Sequence, residues 1–175
     1  MDNRLKRAPG VYLAGFMGSG KSTVAQQLAD RLGWHFIDLD EEIEAAEKDS
    51  ISNIFATRGE TEFRRIETDM LKSVMRRVER GMPSVVALGG GAFAQKTNTA
   101  LLEGHGISVW LDCPFETIEA RVVNGDTRPL ARDREAFRQL YEARRIAYGQ
   151  AHYRIDADCE VERAVDQIME LPFWK

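Results

Sequence analysis

The feature that most constrains this chain is a glycine-rich run between a predicted strand and a predicted helix. Residues 15–22 read GFMGSGKS and fit the pattern G-x-x-x-x-G-K-[ST] without a mismatch. The short apolar run before it, residues 11–14, is typical of a strand buried on both faces of a parallel sheet. Apolar residues then recur at helical spacing from Lys21 to Leu32, and Gly33 follows as a stop signal. This order predicts an α/β fold with the glycine loop at the end of a strand.

A loop of this kind binds phosphate, because its glycines turn backbone N–H groups inwards at the start of a helix. In such a loop the ammonium of Lys21 would reach the β- and γ-phosphates, and the hydroxyl of Ser22 would hold Mg²⁺. An accidental match is expected in on the order of one chain in a hundred, and the flanking strand and helix favour nucleotide binding. The predicted nucleotide-binding residues of the loop are Gly18, Ser19, Gly20, Lys21, Ser22 and Thr23.

Length, charge and cysteine content exclude several other classes of protein. The chain has 175 residues and a formal net charge of −4, so no broad basic surface for nucleic acid or an anionic membrane is expected. No apolar stretch approaches the roughly 18 residues that a membrane span needs. Cys113 and Cys159 are too few and too far apart for a disulfide framework or a metal knuckle. We therefore expect one cytoplasmic domain, residues 1–175.

Strands and helices alternate along the chain, which predicts a parallel sheet between helices. Further strands are predicted at residues 34–37, 84–88, 107–111 and 153–155. Further helices are predicted at residues 41–48, 50–55, 60–80, from Pro114 onwards, 135–149 and 161–171. Ligands of such sheets bind at the carboxyl ends of the strands, so we expect the chemistry at residues 15–22, 38–40 and 89–91.

Two carboxylates follow the second predicted strand. Asp38 and Asp40 alternate along it, so their side chains should emerge together, roughly 6–7 Å apart. Near a polyphosphate, one could help to hold Mg²⁺ while the other accepts hydrogen bonds from an acceptor hydroxyl. The alternative is that Asp40 simply caps the helix predicted at residues 41–48.

An arginine and a glycine triplet are further candidates. The spacing of Arg64 and Glu67, one helical turn apart, favours an ion pair between them. The alternative is that Arg64 binds a substrate carboxylate or phosphate. Gly89, Gly90 and Gly91 follow a buried strand and allow another group to approach the backbone closely. This favours a functional segment over a flexible turn.

The polar segment at about residues 124–134 is predicted as a mobile loop. It is a solvated charged loop or a lid that closes over ATP and brings an arginine to the γ-phosphate. The arginines in or beside it are Arg121, Arg128, Arg132 and Arg134.

The order and spacing of these motifs resemble the shikimate kinase family over nearly the whole chain. The matching segments are the loop at 15–23, Asp38-x-Asp40, Ile54-Phe55 before Gly59-Glu60, FRRIE at 63–67, LGGGA at 88–92, RPL at 128–130, and Arg144 followed by Tyr148. The resemblance implies a three-layer α/β/α fold with a five-stranded parallel sheet in the order 2-3-1-4-5. It also implies substrate-binding helices at about residues 38–66 and a lid at about 124–134.

The chemistry that the resemblance implies is phosphorylation of the 3-hydroxyl of shikimate by ATP with Mg²⁺, a step towards chorismate and the aromatic amino acids. In this family, residues matching Arg64 and Arg144 grip the shikimate carboxylate. Those matching Asp40 and the backbone of Gly89, Gly90 and Gly91 hold its hydroxyls.

The resemblance also implies roles on the ATP side. Lys21, Asp38 and Arg128 would be catalytic, with Asp38 near the metal and the reacting hydroxyl and Arg128 closing from the lid. Ser22 and Asp38 would hold the metal, and Arg121 would pack on adenine. The expected enzyme is a monomer whose partners are ATP and shikimate.

Two other functions remain open. One is a related kinase for another small hydroxy-acid, such as gluconate. The other is a kinase-like module that senses ligands without turnover, against which the intact set of Lys21, Ser22, Asp38 and Arg64 argues. The chain also has Ile146 where the family commonly has proline, which leaves the backbone after Arg144 less constrained.

Overall fold

The computed structural model describes residues 9–124 and 133–175. Its strands are Gly10–Ala14 (β1), His35–Asp38 (β2), Ser84–Ala87 (β3), Ile107–Asp112 (β4) and Tyr153–Asp156 (β5). Its α-helices are Lys21–Leu32 (α1), Leu39–Glu47 (α2), Ile51–Glu79 (α3), Lys96–Leu102 (α4), Phe115–Asn124 (α5), Arg134–Tyr148 (α6) and Val161–Met169 (α7). A 3-10 turn at Pro172–Trp174 follows α7.

The five strands form one parallel sheet in the order β2-β3-β1-β4-β5, which confirms the expected fold. Every residue of β1, β3 and β4 is buried, so both faces of these strands are covered. Helix α1 packs against β2 and β3 and against α7. The glycine loop after β1 therefore lies at the carboxyl edge of the sheet, between the ends of β3 and β4.

The end of β2 differs from the prediction. Asp38 is the last strand residue, and its carboxylate caps α2 by accepting hydrogen bonds from the N–H groups of Asp40 (3.0 Å) and Glu41 (3.3 Å). Helix α2 begins at Leu39, so Asp40 lies within it. The predicted strand alternation of Asp38 and Asp40 is therefore wrong, and so is the alternative that Asp40 caps the helix, because the chain turns from strand to helix between them.

Helix α3 consists of two helical segments joined at Gly59, whose φ of 84° and ψ of 170° are not helical. We call residues 51–58 the outer segment and residues 60–79 the inner segment. The outer segment begins after Ser50, whose hydroxyl accepts a hydrogen bond from the N–H of Asn53, and both segments match the two predicted helices. In the outer segment only Ile54 is buried, whereas the inner segment buries one continuous stripe.

One helix departs from the predicted pattern, and one predicted segment cannot be compared with it. Helix α4 is not predicted, because its seven residues bury only Asn98 and Leu102, too few to show a helical period. Most of the predicted lid, with Arg128 and Arg132, lies outside the described residues.

The two cysteines differ in exposure. Cys113 is buried, Cys159 is partly exposed, and both are free thiols. In the part of the chain that the structure describes, no helix has both the length and the apolar character needed to cross a membrane.

Candidate active site

The glycine loop turns into α1 at the end of β1. Gly20, directly before the helix, has a φ of 89°, which other residues rarely adopt. The ammonium of Lys21 donates hydrogen bonds to the carbonyl oxygens of Gly15 (2.8 Å) and Phe16 (3.0 Å). Its positive charge is thus held against the loop, at a helix N-terminus that itself favours anions.

Ser22 and Asp38 meet beside this loop. The Ser22 hydroxyl donates to Oδ2 of Asp38 at 2.5 Å, while Oδ1 caps α2. Hydroxyl and carboxylate oxygens are ligands that Mg²⁺ prefers, usually completed by water and substrate phosphates. Within residues 9–124 and 133–175 no cluster of three or more His, Cys, Asp or Glu could hold a metal ion. The hydroxyl of Ser22 and the carboxylate of Asp38 fit Mg²⁺ that is bound jointly with a nucleotide.

Arg121 reaches the loop from α5. Its guanidinium donates to the carbonyl oxygen of Gly18 at 3.1 Å and lies 3.8 Å from the sulfur of Cys113. In the same loop region Ser19 is buried and Thr23 is exposed. The predicted nucleotide-side residues that the structure describes are thus brought together, and the contact of Arg121 with adenine stays a prediction.

A cavity of about 400 Å³ adjoins the loop, between α2, α3, α6 and the residues that follow β3. Its charged lining residues are Asp40, Glu44, Arg64, Glu67 and Arg144, and its apolar walls are Met17, Ile51, Phe55 and Phe63. A cleft of about 600 Å³ lies on another side of α6. Its described lining residues include none of the phosphate loop, whereas the first cavity is lined by Met17 of that loop and is therefore the candidate site.

The glycine triplet forms the floor of this cavity, where side chains approach the backbone closely. A Cβ atom on Gly91 would lie 2.5 Å from Nη2 of Arg64, and one on Gly89 would lie 2.6 Å from Oδ1 of Asp40. A Cβ atom on Gly90 would lie 3.5 Å from Nη1 of Arg144. The absence of side chains at these positions lets one carboxylate and two guanidinium groups converge.

Arg64 both pairs with Glu67 and faces the cavity, so the two readings of its spacing are compatible. Nη1 of Arg64 lies 2.8 Å from Oε1 of Glu67, and Nη2 lies 3.5 Å from Oε1 of Glu60. Glu67 is 1% exposed. Burial raises the pKa of Glu67, and the positive charge of Arg64 opposes that shift.

Glu67 lines the cavity but is not among the site residues predicted from the sequence. The signal that could have found it is its place on the apolar stripe of α3, four residues after the buried Phe63. A carboxylate at such a position must find partners inside the protein.

Arg144 enters the cavity from α6. Its guanidinium lies over the ring of Phe16, 5.6 Å from the centroid, and interacts electrostatically with the hydroxyl of Tyr148. That hydroxyl in turn donates to the carbonyl oxygen of Gly90. Burial lowers the pKa of Arg144, and the nearby charge of Arg64 adds to the effect. Two arginines that line one cavity, one of them largely desolvated, are suited to bind an anion between them.

Comparisons with known proteins agree with this geometry. The sequence model of the shikimate kinase family matches residues 17–171. A shikimate kinase of Salinibacter ruber is 42% identical over 173 residues, covering 92% of this chain and 83% of that protein. One of Persephonella marina is 41% identical over 152 residues, covering 85% of this chain and 88% of that protein.

A solved structure is similar over almost the full length. The shikimate kinase of Acinetobacter baumannii in complex with shikimate has a TM-score of 0.87 and is 34% identical, covering 98% of this chain and 97% of that one. The similarity in sequence agrees with the strand order and with the residues that lie beside the loop. The chain belongs to the shikimate kinase family.

Proposed function

We propose that this protein transfers the γ-phosphoryl group of ATP to the 3-hydroxyl of shikimate, giving shikimate 3-phosphate and ADP. The observation that carries the proposal is the cavity beside the phosphate loop, in which Arg64, Arg144 and Asp40 converge on three glycines. A small cyclic hydroxy-acid needs guanidinium groups for its carboxylate and carboxylate oxygens for its hydroxyls. The names of the relatives support shikimate as that acid.

On the nucleotide side, the loop N–H groups and Lys21 would bind the phosphates of ATP. Ser22 and Asp38 would hold Mg²⁺, which neutralises phosphate charge when it is bound. Arg121 would lie against adenine, and Arg128, outside the described residues, would approach the phosphates from a lid at about residues 124–134.

On the acceptor side, Arg64 and Arg144 would bind the carboxylate. Asp40 and the backbone of Gly89–Gly91 would bind the hydroxyls. Phosphoryl transfer has a loose transition state, so positioning and neutralisation of charge supply most of the rate. Asp38, fixed by Ser22 and by the start of α2, would accept the hydrogen bond of the attacking hydroxyl.

The domain organisation, oligomeric state and location of the enzyme are also part of the proposal. We propose one domain that acts as a cytoplasmic monomer, with substrate-binding helices at about residues 38–66. The free thiols suit a reducing compartment.

The direct test is ADP release by the purified protein with MgATP and a panel of hydroxy-acids. We expect release that saturates with shikimate and stays at background with gluconate. Saturation by gluconate alone would show a related kinase, and ligand-induced thermal stabilisation without ADP release would show a sensor; either outcome contradicts the proposal.

Gly91→Ala is expected to raise the KM for shikimate by roughly 10- to 100-fold with little change in the KM for ATP. The added methyl group would overlap Arg64, whose Nη atoms lie 2.5 and 2.7 Å from the Cβ position. Steady-state kinetics with each substrate varied in turn measures both constants.

The control for this variant is Gly149→Ala, whose Cβ would meet only carbonyl oxygens at 3.5 and 3.6 Å and should leave both KM values unchanged. Gly90→Ala should have an intermediate effect, because its nearest atoms lie at 3.4 and 3.5 Å. A Gly91→Ala enzyme with the KM for shikimate of the unaltered protein would show that Arg64 does not bind the acid.

A further inference from the structure

Two neighbouring arginines of α6 point to different parts of the molecule. Arg144 enters the cavity and stacks on Phe16. Arg145 is rotated by about 100° around the helix and reaches Asp112, the last residue of β4. The helix that presents Arg144 is therefore tied to the sheet by the very next side chain.

The tie is an ion pair on a desolvated carboxylate. The Asp112 side chain is 10% exposed and accepts hydrogen bonds from both Nη atoms of Arg145. Arg154 of β5 pairs with its second oxygen. The guanidinium of Arg145 also stacks on Trp110, 4.8 Å from the ring centroid. The two hydrogen bonds to a buried carboxylate and the contact with the ring together restrict the orientation of the Arg145 guanidinium.

A second hydrogen-bonded link starts from the same guanidinium. Arg145 donates to the hydroxyl of Tyr141 at 2.8 Å, and that hydroxyl donates to the carbonyl oxygen of Cys113 at 2.8 Å. The ring of Tyr141 lies against Phe16, with centroids 5.4 Å apart. Arg145 thus fixes α6 to the end of β4 through two partners, next to the loop residue on which Arg144 rests.

We propose that Arg145 and Asp112 are positioning residues, which set the rotation of α6 about its axis and thereby aim Arg144 into the cavity. The inference rests on the proposed function, in which Arg144 binds the carboxylate of shikimate. Neither residue lines the cavity, so their effect passes through Arg144 and should be specific to the acid substrate.

The test is steady-state kinetics of Arg145→Met, which keeps the length of the side chain and removes the fork of donors. We expect the KM for shikimate to rise by roughly 10- to 100-fold, with kcat and the KM for ATP within a few-fold of the unaltered enzyme. Asp112→Asn, which removes the charge at constant size, should give the same pattern. Arg145→Lys should recover part of the loss.

The matched control is Arg138→Met, on the same helix. Arg138 also pairs with a carboxylate and stacks on an aromatic ring, Glu116 and Phe115, but that carboxylate is exposed. This variant should keep both KM values. Thermal unfolding of every variant identifies any that do not fold, and Asp112→Asn, which preserves side-chain volume, then carries the test.

A double-mutant cycle separates positioning from a general loss of structure. If Arg145 acts through Arg144, then Arg145→Met should raise the KM for shikimate in the unaltered enzyme but add little in an Arg144→Met background. Equal factors in both backgrounds, or no effect of Arg145→Met alone, would overturn the inference while leaving the proposed function in place. No effect of Arg144→Met itself would instead overturn the proposed carboxylate clamp.

Discussion

Lys21→Met is expected to lower kcat by roughly 10²- to 10³-fold, the loss typical of removing one donor from a developing anion. Lys21 carries the cation that the structure holds against the phosphate loop, through Gly15 and Phe16. With its charge removed, the transferred phosphoryl group loses a fixed partner, whereas the cavity for the acid is left intact. Initial rates of ADP release at saturating substrates measure the change.

The control is Lys72→Met, which removes an exposed lysine of α3 that lies 3.9 Å from Asp69 and should leave kcat unchanged. Binding of shikimate to Lys21→Met, followed by calorimetry, should match the unaltered protein. A Lys21→Met enzyme that keeps kcat within a few-fold would contradict the assignment of this lysine to the phosphates.

Asp38→Asn is expected to lower kcat by roughly 10²- to 10⁴-fold, the range for losing a group that handles the substrate proton, with almost no loss of stability. The two oxygens of Asp38 do different work: Oδ2 receives the Ser22 hydroxyl, and Oδ1 caps α2. Asparagine caps a helix about as well as aspartate does, so the cap is kept, whereas the charge and the acceptor for the Ser22 hydroxyl are lost. Kinetics and chemical denaturation measure the two effects separately.

Asp38→Ala removes both functions, and its free energy of unfolding should fall by a further ~1 kcal/mol because the cap is lost. Asp69→Asn, the same change at an exposed carboxylate of α3, should alter neither quantity. If Asp38→Asn kept full activity, the carboxylate would serve only to begin the helix.

The sequence was sufficient for the sheet and for the loop after β1, because both depend on local patterns. The buried runs of β1, β3 and β4 are continuous and apolar, and the spacing of Gly15, Gly20 and Lys21 is fixed along the chain. The place of Asp38 and Asp40 was not predictable in the same way. Whether a residue ends a strand or caps a helix depends on where the turn falls, and strand alternation gives no information on that.

Contacts between distant segments set the rest of the candidate site. The aromatic support of Arg144 comes from Phe16 in the loop, and the floor beneath Arg64 comes from Gly91, 27 positions along the chain. The sequence marks each residue as unusual but does not show which others it meets. The sequence therefore presents the ion pair and the binding role of Arg64 as alternatives. They are compatible, because one guanidinium has enough donors for both.

The two segments of α3 on either side of Gly59 differ in how many substitutions each can tolerate during evolution. The inner segment is committed to the core through Phe63, Ile66 and the residues that follow, so substitutions there threaten the whole molecule. The outer segment lends Ile51 and Phe55 to the cavity wall yet buries little else. A few substitutions in the outer segment could therefore change which acceptor molecule is bound, with little loss of stability in the rest of the fold.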